Sequence, residues 1–174
     1  MTIITPPAGD YLAQCFALID LGSHEETEGG KNRAFQKIML CWESHPLDEK
    51  GKIHPKEKPA LTITKEYRLS ISSNSTLLED IQAWRGKNLE LAEVRRINLK
   101  TLLGARCQLH VKPISSTEEN GNCVSVSVSK PASKNKWPAL QRSLIYFMLS
   151  DPDWEAFDTL DSGIQSRIRN LPKR

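Results

Sequence analysis

The side chains in this chain best placed to do chemistry are cations set around flat rings. Arg33, Phe35 and Lys37 occupy alternate positions, which on an extended strand puts a ring between two positive charges on one face. Lys31 continues that line. Binding a single nucleic-acid strand without regard to sequence asks for this combination: cations that follow the phosphates and rings on which bases stack. Each stack contributes roughly 1–3 kcal/mol, and each neutralised phosphate adds a contribution that weakens with salt. Lys65 and Arg68 would extend such a surface from a neighbouring strand, and Lys112 from another. Lys130, Lys134 and Lys136 lead into Trp137, a cluster that either clamps a strand or serves as a linker whose indole docks on the body. A plainer account stands beside this one, in which Phe35 packs under a loop and the cations are solvated.

Catalytic patterns are not apparent. The sequence has no Gly-rich phosphate loop, no His-Glu-x-x-His pair and no Gly-x-Ser-x-Gly elbow. His24, His45, His54 and His110 are scattered, and acidic pairs such as Glu25-Glu26 and Glu118-Glu119 fall in turn-like segments. Cys15, Cys41, Cys107 and Cys123 form no Cys-x-x-Cys pair and fall in or beside apolar strand patterns, as reduced, packed thiols do. A binding protein without cofactor or metal is the expectation, not an enzyme.

Composition sets the frame for those residues. The chain has 174 residues, 39% hydrophobic and 26% charged, with a formal net charge of +3 and a pI near 8.7. That length can bury a useful core without disulfides, and so small a surplus names no partner unless the charge is gathered in a patch. No apolar run approaches the roughly 18–20 residues that cross a bilayer. The first residues, Met1 to Pro7, lack the charged start and apolar stretch of a signal peptide, so a cytoplasmic setting is expected and a membrane is not.

The elements that must position the cations follow from periodicity. Residues 11–21 carry apolar side chains at Ala13, Cys15, Ala17, Ile19 and Leu21, with Phe16 and Leu18 breaking strict alternation. Residues 22–31 form a polar loop. Residues 33–43 place Ile38, Leu40 and Trp42 on one face against Arg33, Phe35, Lys37 and Glu43 on the other. A third strand covers residues 61–72. Ser73-Asn74-Ser75 offers caps for a helix whose Leu77, Leu78, Ile81 and Trp84 recur at helical spacing and which stops at Gly86. A helical turn over residues 97–104 precedes a fourth strand, 107–114, and a fifth, 123–129, joined through Asn120-Gly121. Trp42 and Trp84 sit on apolar faces and read as core, as does Tyr67. Beyond residue 130 a basic connector, an apolar stretch at 144–149 and one helix over 154–171 complete the chain.

Three strands, a helix and two more strands is the order of an OB-fold, a mainly β, five-stranded Greek-key barrel with its helix between strands three and four. Residues 1–130 are therefore expected to form the barrel. Residues 131–174 are expected to form a C-terminal strand and helix extension on it, within one structural domain.

Particular residues carry a family likeness. Ile19-Asp20-Leu21-Gly22, Trp42-Glu43, Thr64-Lys65-Glu66-Tyr67, Leu77-Leu78-Glu79-Asp80, Trp84-Arg85-Gly86 and the run Ile97 to Gly104 before Cys107 resemble, in order and spacing over residues 10–170, the phage and prophage OB-fold single-stranded DNA-binding proteins. The resemblance implies a protein that coats single-stranded DNA in phage replication or recombination. It also implies phage or host replication proteins as partners and the host cytoplasm as its place. One departure is the basic Leu171-Pro172-Lys173-Arg174, where many such proteins carry an acidic tail; acidic residues gather instead at 151–161. Two alternatives stay open: a phage protein-interaction or structural module on the same fold, and an RNA-binding module.

Overall fold

The computed structural model describes residues 4–53, 60–114, 124–131 and 136–172. Its centre is a six-stranded, mainly antiparallel sheet in the order β3-β2-β1-β4-β5, with β6 pairing parallel to β1. The strands are β1 (Gly9–Glu28), β2 (Lys31–Pro46), β3 (Leu61–Arg68), β4 (Arg106–Pro113), β5 (Val124–Ser129) and β6 (Ile145–Phe147). Helix α1 (Thr76–Arg85) lies between β3 and β4 in sequence, followed by α2 (Leu91–Val94) and a 3-10 turn at Leu99–Leu102; α3 (Trp154–Asp158) and α4 (Ser162–Arg169) close the chain. Among the described residues no helix is long and apolar enough to cross a membrane.

The long first strand organises the rest. Its register against β2 shifts between Cys15 and Ala17 and again between Asp20 and Gly22, and such bulges bend a strand and switch which side chains face in. Tyr11, Ala13 and Cys15 enter the inner core, and after the first shift Leu18 does. Phe16, Ala17, Ile19 and Leu21 enter a second core on the opposite face. The broken alternation in the sequence is therefore a strand buried on both sides. At Gly22 the second bulge takes the left-handed backbone (φ 77°) that favours glycine, with the Leu171 side chain packed over it.

The inner core packs α1 against the sheet. Ser75 caps the helix by accepting the Leu78 amide, Gly86 ends it in the left-handed region, and Leu77, Ile81 and Trp84 meet Trp42, Ile63 and Tyr67. Trp42 and Trp84 approach to 6.1 Å between ring centroids, and the Trp84 indole donates to the Arg106 carbonyl at 2.7 Å. The outer core is built by the C-terminal extension: Phe147 of β6 and Phe157, Leu160, Ile164 and Ile168 cover Phe16, Ile19, Met39 and Cys41. Two buried carboxylates fasten it. Asp20 accepts from the Gly22 and Leu149 amides and from the Gln36 side chain, and Glu43 accepts from the Gln141 and Arg142 amides.

The outer edges of β3 and β5 carry no ladder between them among the described residues. They face each other across a cleft of about 320 Å³. Lys65 bridges it: its Nζ donates to Asp80 Oδ2 of α1 at 2.6 Å and to the Val126 carbonyl of β5 at 2.6 Å, and the Tyr67 hydroxyl donates to the same Asp80 oxygen at 2.7 Å. Burial, and then the Asp80 charge, push the Tyr67 phenol far above its ordinary range.

Three sequence expectations change. Residues 22–31 are strand apart from a Gly29-Gly30 turn (φ 59° and 78°), the backbone that a two-residue hairpin turn demands. The expected C-terminal helix breaks into α3 and α4, because Asp153 and Asp161 each start a new helix by accepting the Ala156 and Gly163 amides. The third strand stops at Arg68, where the chain turns toward the α1 cap. Cys15, Cys41 and Cys107 are buried free thiols, Cys15 pushed up to about 12 by burial. Cys123, His54, Glu118-Glu119 and Asn120-Gly121 lie outside the described residues.

Candidate nucleic-acid interface

The β2–β3 register begins at Lys37↔Arg68, the Leu69 amide donates to the Gln36 carbonyl at 2.7 Å, and beyond Gln36 the described β2 residues pair with β1 alone. The Ser23–Glu28 and Lys31–Gln36 halves therefore project as a two-stranded arm. Period-two alternation brings Arg33, Phe35 and Lys37 to one face of it, with Glu26 directly opposite Arg33, His24 opposite Phe35 and Glu28 opposite Lys31. Arg68 enters the same face from β3, opposite Lys37.

Glu26, Glu28, Arg33, Phe35, Lys37 and Arg68 wall an open groove of about 730 Å³, completed by Ser70, Ser72, Asn74 and Ser75 where β3 leads into α1. Phe35 is half-buried on its wall, and the Arg68 guanidinium carbon lies 3.8 Å from its ring centroid, a stacked cation–π contact. Glu26 receives both Lys37 Nζ and Arg68 Nη2, and Glu28 Oε2 lies 3.7 Å from Arg68 Nη1. The Lys37 and Arg68 hydrogen bonds hold the Glu26 carboxyl below the ordinary carboxylate range. The groove thus contains a ring and cations, as the chemistry of strand binding asks, but its carboxylates already hold two of those cations. An incoming phosphate must compete with Glu26.

Glu26 and Glu28 are the members that sequence reading misses. The signal for them is the mirror Glu26-x-Glu28, Gly29-Gly30, Lys31-x-Arg33 about a hairpin turn, hidden once that stretch is taken as loop.

Not every expected cation reaches this groove. Lys31 is exposed at the far end of the arm, beyond the groove wall. Lys65 shares parity with Ile63 and Tyr67 and so turns inward to Asp80 and Val126, away from the groove that Phe35 lines. Lys112 is exposed on β4, paired across from Ser125 of β5. Lys130 lays its side chain against Gly86, with Cδ 2.7 Å from where a Cβ would stand. Lys136 is exposed, while Trp137 is half-buried beside Gln14, Glu43 and His45 with the Arg106 guanidinium 5.2 Å from its ring, so the indole docks on the sheet. Lys134 lies outside the described residues. The His110 ring nitrogens meet Asp10 at 2.7 Å and Ser129 at 2.9 Å.

The chain matches no protein-family model, no curated protein and no solved structure.

Proposed function

We propose that this chain is a non-catalytic single-stranded DNA-binding protein, largely indifferent to sequence, built on an OB-type barrel. What supports the fold is the strand path β3-β2-β1-β4-β5, with α1 inserted between β3 and β4 and packed in the inner core. The β3 and β5 edges face one another with Lys65 spanning the gap. The observation that carries the function is the half-buried Phe35 ring, stacked by Arg68 in an open groove with Arg33 and Lys37 beside it. Bases stack on such a ring, and the cations follow the backbone. The resemblance to phage single-strand binders points to protection of single-stranded DNA during phage replication or recombination, with replication proteins as further partners.

Fluorescence anisotropy with labelled oligo-dT tests this. Micromolar or tighter binding is expected at about 50 mM salt, falling steeply as salt rises. Phe35→Ala should weaken it by roughly 1–3 kcal/mol. Folded protein that binds no oligo-dT at that salt defeats the proposal, and matched DNA and RNA competitors separate the two nucleic acids. A second reading, docking of a protein segment in the same groove, is favoured by the balance of Arg33, Lys37 and Arg68 against Glu26, Glu28 and Glu66 along its walls.

A further inference from the structure

Residues 85–112 carry seven Lys or Arg against two Glu, a local surplus larger than the +3 of the whole chain. The segment runs from the C-terminus of α1 through α2 and the 3-10 turn into β4, and its Arg85, Lys87, Arg95, Arg96, Lys100 and Arg106 are all exposed. Among the described residues only Lys87 of these six is ion-paired, with Glu93 at 3.1 Å. The contrast with the groove is the informative point, since there Lys37 and Arg68 are held by carboxylates. Rings border this surface too: Lys100 Nζ lies 5.1 Å from the ring centroid of Tyr146, which is 37% exposed, and Arg106 lies over Trp137. Lys130 adds its stem at Gly86.

Helix α1 links the two surfaces. Its N-terminal Ser75 and Thr76 line the groove, and its C-terminal Arg85 opens the basic segment. Ten helical residues span roughly 15 Å at 1.5 Å per residue. At about 3.4 Å per stacked nucleotide, a strand touching both ends covers at least four or five nucleotides. That length lies within the roughly 4–16 nucleotides that one OB-fold occupies.

We infer that the basic segment around Arg95, Arg96, Lys100 and Arg106 is a second phosphate-contact surface, reached by a DNA strand that leaves the Phe35 groove and passes along α1. The inference rests on the single-strand reading above and adds where the phosphate attraction comes from. In this arrangement the groove orients bases and the segment supplies most of the salt-dependent affinity.

The test compares oligo-dT of about four nucleotides with oligo-dT of about twenty, for the wild type and for Arg95→Gln/Arg96→Gln/Lys100→Gln, with thermal melts to confirm folding. All three positions are exposed, so the fold should be kept. Three lost phosphate contacts at about 0.7 each should make the long-oligomer salt slope shallower by roughly 2 and weaken long-oligomer binding tenfold or more at about 50 mM salt. Binding of the short oligomer should be unchanged. A triple variant with wild-type slope and affinity on the long oligomer overturns this inference while leaving the groove intact. Wild-type protein that binds neither oligomer overturns the single-strand reading together with it. Should the triple variant lose its fold, Arg95→Gln/Arg96→Gln serves in its place, with a slope change of about 1.4 as the expected result and none as the refuting one.

Discussion

Glu26 stands between the groove and any phosphate, so removing its charge should tighten DNA binding. The perturbation is Glu26→Gln, which keeps the side chain's size on the arm and abolishes the ion pairs to Lys37 and Arg68. Lys37 then keeps only its longer-range attraction to Glu66, while Arg68 keeps Glu28 at 3.7 Å, so between one and two cations become available. At about 0.7 per phosphate contact on single strands, the slope of log affinity against log salt should steepen by roughly 0.7–1.4. Over a fourfold rise, from about 50 to 200 mM, that is an additional loss of roughly three- to sevenfold. At low salt the variant should bind oligo-dT more tightly than the wild type. Anisotropy titrations at four or five salt concentrations read both quantities. Acid offers a control: the two cations hold Glu26 ionised below the ordinary carboxylate range, so lowering the wild type to about pH 4, where an ordinary glutamate is mostly protonated, should not mimic the substitution. An unchanged slope, or weaker binding by Glu26→Gln at low salt, would refute the reasoning.

Other outcomes follow from the packing. Lys65→Met leaves the Asp80 carboxylate with Tyr67 alone and should cost about 2–3 kcal/mol in urea unfolding; adding Asp80→Asn should recover part of it, a coupling that a double-mutant cycle measures. Phe147→Ala, at a fully buried ring between sheet and extension, should cost about 3–5 kcal/mol, whereas Trp154→Ala, 58% exposed, should cost much less by the same assay. Arg167 hydrogen bonds hold the Glu66 carboxyl below its ordinary range. A depressed folded-state value stabilises above the unfolded carboxylate pKa and is lost as pH falls through the folded one. The stability gap between wild type and Arg167→Met should therefore be constant from about pH 6 to 8 and close below about pH 4, as melts across pH would show; a gap that persists in acid contradicts the pairing.

Much of this was legible because it is local. Val126 and Val128 alternate cleanly because β5 is buried on one face only, and α1 shows its cap, stripe and stop within a dozen residues. The Trp42 and Trp84 faces were readable for the same reason. What hid was non-local. Period two places Lys65 on the inner face, yet only the fold brings Asp80 and the Val126 carbonyl to meet it. The two-sided burial of β1 depends on an extension more than a hundred residues away. At the candidate site the cations and the ring were found from strand alternation, but their neutralisation by Glu26 was not, since it depends on the hairpin register. Trp137 reads from sequence as either clamp or linker, and only the fold sets its half-buried indole beside Gln14 and His45.

Photo-cross-linking tests the central claim most directly. An oligo-dT in which 5-iodouracil replaces some thymines would be irradiated in complex with the full chain and the adducts mapped by mass spectrometry. An adduct at Phe35 that disappears with unlabelled competitor is the expected result. DNA that binds with its adducts elsewhere and none at Phe35, or folded protein that captures no strand at all, would contradict the account.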